Sequence, residues 1–315
     1  MNFCRRKTFL NALRSAVLVL VITQILVVCA IIFFQEGTHN HTSYTNTKIN
    51  VDHGVAIMLL SRRGSFDALA AIREIWARGH TGVFFIVGDK TCLVPPVYRK
   101  SPLSCESNGT SVPFHYQYSY NKVIDLEEAS LAAEAKAHSE LIFVPMVDAY
   151  SALPHKLKLA YNWVLEHTDA KWLVKIDEDN VARIPNLVKL LSIHNSTDFV
   201  VMGRIFRYAK VRKTGKWGEP DYEQPIYPPY PDGAVGHAVA RGVAEAVVSY
   251  NGYEYWCEDT SLGIWLDEMK IPVIWDNVYP KHFSINGDCT NSRASITGHN
   301  IRPSDMRRCF NSNSS

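Results

Sequence analysis

Trp172-Leu-Val-Lys-Ile-Asp-Glu-Asp-Asn180 sets a short apolar run directly against three acids. Trp172 to Ile176, interrupted only by Lys175, has the pattern of a buried strand. Asp177, Glu178 and Asp179 then fall at its carboxyl end, where open α/β sheets bind ligands. Two Asp one residue apart leave a strand end on the same side and can share one hard cation. A solvated acidic turn closing a strand has the same residues, so the flanking sequence has to decide between the two.

Working outward, strands and helices alternate. Val55–Leu60, Val83–Val87 and Leu141–Val144 are compact apolar runs. Ala68–Arg78, Leu126–His138, Leu153–His167 and Ile184–His194 have helical spacing. Phe199–Phe206 reads as a fifth strand, and helices are expected near Ala238–Ser249 and Thr260–Met269. Residues 92–120, rich in Pro, Ser and Tyr, show no period and read as an insertion. The alternation predicts an α/β class with a mostly parallel sheet covered on both faces. After Arg207 the texture changes to aromatics, Pro and Gly, an acceptor-side elaboration of a nucleotide-type fold. No G-x-G-x-x-G or G-x-x-x-x-G-K-S/T is present. A bound diphosphate would need another counter-charge, which a cation on Asp177 and Asp179 could supply.

The N-terminus supplies an address. Arg5, Arg6, Lys7 and Arg14 precede residues 16–34, an uncharged apolar run about 28 Å long as a helix, enough for a bilayer core. A signal peptide would have a shorter apolar region and a small-x-small cleavage site. The expected organisation is a cytosolic tail (1–15), a transmembrane signal-anchor (16–34), a polar stem (35–50) and a luminal body (51–315). Sequons at Asn40, Asn108, Asn195 and Asn313 suit glycosylation in a secretory lumen. Five of the seven Cys lie beyond the anchor, enough for two disulfides and one thiol, with Cys92 and Cys105 the first expected pair. None has zinc-site spacing. A net charge of +2 with acids and bases intermingled argues against nucleic acid.

Three further constellations carry chemistry. Glu258-Asp259-Thr260 reads either as a helix N-cap or as a carboxylate base facing a bound donor. Tyr227-Pro-Pro-Tyr230-Pro-Asp-Gly233 is a rigid aromatic loop, and Trp217 is a second flat face. Both offer platforms for sugar C–H faces, or simply pack their own aromatics. His282 is a surface imidazole or a late metal ligand.

Six pieces in order resemble the β-1,3-galactosyltransferases, within the β-1,3-glycosyltransferase group that includes fringe-type enzymes. Arg62-Arg63 with Ala71-Ile-Arg73-Glu-Ile-Trp76 is similar to R-R-x-x-I-R-x-T-W, and Phe84–Gly88 to F-x-x-G. Glu134, Leu141-Ile-Phe143, Asp148-Ala-Tyr150, Leu153 and Lys156 resemble E…D-I-L…D-x-Y-x-N-L-T-x-K. Lys175-Ile-Asp-Glu-Asp179 resembles K-x-D-D-D, Tyr227–Gly233 resembles Y-P-P-Y-x-x-G, and Glu258-Asp259 with Gly263 resembles E-D-V-x-x-G.

The resemblance covers about residues 55–285. It implies a GT-A glycosyltransferase fold and a single-pass type II Golgi enzyme that moves galactose from UDP-galactose with Mn²⁺ to a glycoprotein, glycolipid or proteoglycan-linker acceptor. By position it implies metal ligation by Asp177, Asp179 and His282, and a catalytic pair Glu258 and Asp259 with Asp259 the base. Arg62, Arg73, Lys156, Lys175, Asp177 and Glu178 would face the donor, and Trp217, Tyr230 and Gly233 the acceptor. Glu178 departs from the family's middle Asp, and Ala234-Val-Gly-His237 from its G-G-Y-V. Transfer of N-acetylglucosamine, or a silent luminal lectin or chaperone retaining the fold, are the alternatives.

Overall fold

The computed structural model describes residues 48–285 and 293–311. The expected anchor, most of the stem, and the sequons at Asn40 and Asn313 lie outside them. No helix among the described residues is long and apolar enough to cross a membrane.

The strands are β1 (Val55–Leu60), β2 (Val83–Lys90), β3 (Leu141–Val147), β4 (Trp172–Ile176), β5 (Val181–Ala182), β6 (Val200–Gly203), β7 (Ile205–Phe206), β8 (Tyr230–Pro231), β9 (His237–Ala240), β10 (Ile274–Asn277), β11 (Phe283–Ser284) and β12 (Ile296–Thr297). The helices are α1 (Phe66–Ile75), α2 (Phe114–Ala137), α3 (Leu153–His167), α4 (Ile184–Leu191), α5 (Arg241–Ser249), α6 (Glu258–Glu268), α7 (Pro303–Met306) and α8 (Arg308–Asn311).

Seven strands form the main sheet in the order β10-β6-β9-β4-β1-β2-β3. All neighbours run parallel except β9, which is antiparallel to both β4 and β6. The mostly parallel α/β architecture suits a GT-A fold.

Burial on both faces explains why the strands read as unbroken apolar runs. In β1, Val55, Ile57 and Leu59 join the core beneath α1 and α4, whereas Ala56, Met58 and Leu60 join the core beneath α3, α5 and α6. Two segments differ from expectation. The insertion ends at Phe114, where α2 begins. The helix expected at Leu126–His138 is its carboxyl-terminal half; only Leu131 of α2 is buried, so the first half has no apolar stripe to reveal it. The segment expected as one helix from Ala238 opens as β9, because a fully buried strand and a buried helix both read as continuous apolar sequence.

The parallel strands place their carboxyl ends along one edge. The loops after β1 and β4 open there, and the loop from β8 to β9 returns to it because β9 runs the other way. Residues separated by 80 positions or more meet at this edge.

Candidate active site

Lys175 is the hinge of the site. It sits near the end of β4, the strand between β1 and β9, and its side chain is 1% exposed. The ammonium lies 2.8 Å from Asp177 Oδ1 and 2.8 Å from Glu258 Oε1, and donates to the Gly233 carbonyl at 3.1 Å. Three donors thus meet three acceptors. Burial alone would lower the lysine pKa, but Asp177 and then Glu258 outweigh it and raise the value, so the charge persists. Glu258 shows the reciprocal effect. Burial works against its charge, and Lys175 overcomes this and holds the carboxyl below the ordinary range. Asp177 is pushed upward by desolvation against the pull of Lys175. With 40% of its side chain open to water, that push is tempered.

Gly233 links this ammonium to Asp259. Its carbonyl accepts from Lys175, while its N–H donates to Asp259 Oδ2 at 3.1 Å. A Cβ at this position would stand 2.9 Å from Glu258 Oε1 and 3.2 Å from Asp259 Oδ2, so no larger residue lets both acids approach. The helix cap expected from Asp259 or Thr260 takes another form. Cys257 is the N-cap of α6 without a side-chain cap bond, and Asp259 lies in the first turn. Asp259 Oδ1 accepts from the Thr260 N–H at 2.7 Å. Burial, then Glu258, lifts the Asp259 carboxyl from the ordinary 3.8 to about 7, against those two backbone donors.

On the other side of Lys175, the acids after β4 border a cleft of about 880 Å³ lined by residues including Arg62, Ser65, Glu178, Asp179, Asn300 and Arg302. Glu178 reaches across to the start of α1. It accepts from the Arg62 guanidinium (2.7–2.9 Å) and from Ser65 Oγ at 2.7 Å. Its extra methylene relative to Asp provides that reach. Asp179 Oδ2 accepts from the Asn300 N–H at 2.9 Å. Asp179 Oδ1 is buried without a hydrogen-bond partner. A bare carboxylate oxygen at the cleft wall fits an oxygen-seeking divalent cation. Among the described residues no three His, Cys, Asp or Glu side chains converge into a metal cluster, so substrate oxygens and water would have to complete such a shell.

Several expected site residues lie elsewhere. His282 is level with Ser295, just before β12, and with Arg183, just after β5, by extension of the strand register, and not with Asp179. Its Nδ1 is 3.4 Å from Ser295 Oγ. Arg73 pairs with Glu134 and Glu140 and covers the Phe85 ring, bracing α1 against α2. Lys156, 1% exposed, is bonded to both oxygens of Asp148 and to the Ser61 carbonyl. Asp148 also accepts from the Gly88 N–H, so this pair ties the ends of β1, β2 and β3 together and does not face a ligand. Lys175 likewise touches acids, not a donor. His237, the last residue of the departure from G-G-Y-V, is fully buried opposite Lys175, 2.9 Å from the Tyr161 hydroxyl. Burial and then Lys175 bring its pKa down to about 3, so it is neutral.

Of the aromatic candidates, Tyr230 is the one that feels Asp259 directly. Tyr230 packs on Phe206 and Tyr227 and is felt by Asp259, which together with burial drives its phenol up to about 12. Trp217, 52% exposed, donates its indole N–H to Tyr150, whose phenol feels Glu258 and Asp259. Asn108 and Asn195 are on the surface.

Three contributors are missing from the sequence-based set. Tyr150 stands in the Asp-x-Tyr piece, which was a usable signal. Glu219, buried, accepts from Trp256 N, Cys257 N and Thr260 Oγ1 and so satisfies the start of α6 from outside the helix. No local pattern announces it. The segment after β12 is the third: the backbone N–H groups of Asn300 and Ile301 donate to the Asp179 carboxylate and carbonyl, and His299 directly precedes them.

The site thus sets acids at the carboxyl edge of a mostly parallel α/β sheet and a second carboxylate pair across a buried lysine. The Galactosyltransferase family model matches residues 124–277, a span that includes Lys175, the acid triplet, Gly233 and Asp259. UDP-GalNAc:β-1,3-N-acetylgalactosaminyltransferase 2 of Xenopus laevis is 32% identical over 146 residues, 45% of this chain and 30% of that protein. The human protein of the same name is 31% identical over 143 residues, 44% of this chain and 28% of that protein. A β-1,3-galactosyltransferase of Arabidopsis thaliana is 27% identical over 229 residues, 68% of this chain and 30% of that protein. Residues 124–277, just under half of the chain, thus resemble the β-1,3-glycosyltransferases. The chain spans less than a third of the length of these relatives.

Proposed function

We propose that this chain transfers a galacto-configured sugar, galactose first, from its UDP donor to a glycan hydroxyl, forming a β-1,3 linkage with inversion. The observation that carries the reading is Asp259: a carboxylate lifted to about 7, beside Tyr230, joined through Gly233 and Lys175 to the acids of the larger cleft. The names of the relatives support the sugar, since one is a galactosyltransferase and two are N-acetylgalactosaminyltransferases.

In this mechanism Asp259 removes the proton of the acceptor hydroxyl as its oxygen attacks the donor's anomeric carbon. The bond from that carbon to the diphosphate breaks, and its electron pair leaves with UDP. The N–H groups of Gly233 and Thr260 hold the carboxylate in place, and Glu258 stays paired to Lys175. Arg62 and Arg302 bring positive charge to the cleft that would receive the diphosphate. Asp179, aided by Asp177, would hold Mn²⁺, which neutralises charge on the departing diphosphate. The setting we propose is the Golgi lumen behind an N-terminal anchor. The Cys92–Cys105 disulfide, the disulfide-bonded Cys309 and the exposed sequons at Asn108 and Asn195 support an oxidising compartment.

The test is a donor screen with the purified protein and Mn²⁺, using UDP-galactose, UDP-N-acetylgalactosamine and UDP-N-acetylglucosamine. Transfer from a galacto donor that is lost in EDTA and in Asp179→Ala supports the reading. Preference for UDP-N-acetylglucosamine overturns the sugar assignment, and full activity in EDTA overturns the metal assignment.

A further inference from the structure

A second cleft, of about 420 Å³, falls within the size range of small-molecule sites, roughly 300–1,000 Å³. One wall is the segment Ser151 to His155 at the start of α3, with Pro145 and Val147 of β3 behind it; the other is Glu254 and Tyr255. Both walls lead to Asp259. Ser151 follows Tyr150, the phenol that receives the Trp217 indole and feels Glu258 and Asp259. Tyr255 lies two residues before Cys257, the N-cap of the helix that carries Asp259 in its first turn.

The lining is mostly apolar, with Ser151, His155 and Glu254 as its polar side chains. Pro145, Val147, Pro154 and Tyr255 offer flat or aliphatic surface. His155 Nδ1 lies 3.1 Å from Glu254 Oε1, and Lys158 Nζ lies 3.4 Å from the same oxygen. Lys158 is itself fixed, donating to the Tyr250 carbonyl at 2.7 Å and lying over the Tyr250 and Trp265 rings. Glu254 is therefore a positioned carboxylate and His155 a positioned imidazole, 31% and 46% exposed. Such a surface suits a sugar ring, with apolar C–H faces on one side and hydroxyls that donate to carboxylate and accept from imidazole on the other. A purely apolar aglycone would leave the ion pair desolvated and unused. A uronic acid would bring its charge against Glu254.

We propose that this cleft is a second carbohydrate subsite that binds the neutral sugar unit next to the acceptor residue, so that the enzyme reads at least a disaccharide. The proposal rests on the glycosyltransferase reading above. His155 and Glu254 are specificity-determining and stand away from the reacting atoms.

The experiment compares kcat/KM for paired methyl glycosides, galactoside with lactoside and N-acetylglucosaminide with chitobioside, in wild type, Glu254→Gln and His155→Ala. Wild type is expected to prefer the disaccharide of the pair it uses, chiefly through KM. Each substitution should cut that preference about tenfold, the effect of one hydrogen bond to a charged group, with kcat for the disaccharide held within about twofold. A preference that both variants leave unmoved overturns the subsite. A fall in kcat shared equally by both members of the pair, with a lowered melting temperature, also overturns it and assigns the ion pair to stability. Wild-type transfer to neither member of either pair, with no turnover of any UDP-sugar, overturns the transferase reading as well.

Discussion

The two sides of Lys175 hold their acids by different physics. On the larger cleft, Glu178 is held by a guanidinium that is 85% exposed and by a serine hydroxyl. On the Asp259 side, Glu258 is buried against a lysine that water does not reach. An exposed ion pair in high dielectric can break and re-form as a charged ligand arrives. A buried one is committed, because separating it strands a charge in the interior. In the proposed reaction the open side would exchange partners with the anionic donor, while the closed side holds one carboxylate still.

The sharpest break in this contrast is Asp259→Asn. Loss of a general base costs about 10²–10⁴ in kcat, and UDP binding measured by calorimetry should stay within about twofold of wild type. If UDP binding collapses as well, Asp259 is a structural anchor. Next is the matched pair Lys175→Met and Arg62→Met, read by denaturant unfolding. The first strands two acids and should cost roughly 3–5 kcal/mol; the second breaks an exposed pair and should cost under about 1 kcal/mol. Equal losses would abolish the distinction.

The pH dependence sharpens it further. Because the Asp259 carboxyl is lifted from the ordinary 3.8 to about 7, kcat/KM should fall on the acid side of about pH 7. Between those values the folded protein binds a proton that the unfolded chain has released. The site therefore destabilises the fold progressively as pH rises through that window. Unfolding of Asp259→Asn should accordingly gain on wild type with rising pH, and a constant difference would contradict the shift. The smallest expected effect is Glu178→Asp. The shorter side chain loses reach to Ser65 and Arg62, and KM for the UDP donor should change several-fold with kcat nearly constant.

Legibility followed how local each cause was. β1, β4 and α3 match their expected ranges, because a compact apolar run or an apolar stripe lies within each element. α2 is legible from Leu126, whereas its first twelve residues, which bury no side chain, leave no period. The acids of the site were visible as motifs, as was the Cys92–Cys105 pair, which the structure contains. Their roles were less visible. Lys156 and Lys175 read as donor-facing charges, yet each is buried by partners set by folding: Glu258 lies 83 positions from Lys175, and Ser61 lies 95 from Lys156. A lysine inside a strand signals a partner without naming it. The ligand role that the resemblance implies for His282 depends on chain position, whereas the β5–β12 pairing brings residues 300–301 to Asp179.

The Gly233 peptide is gripped by Lys175 at its oxygen and by Asp259 at its nitrogen. The two ends of one rigid plane therefore answer to two different side chains, and any tilt of that plane is felt by both. Lys175 cannot drift without loosening the Asp259 carboxylate, nor Asp259 without disturbing the buried ammonium.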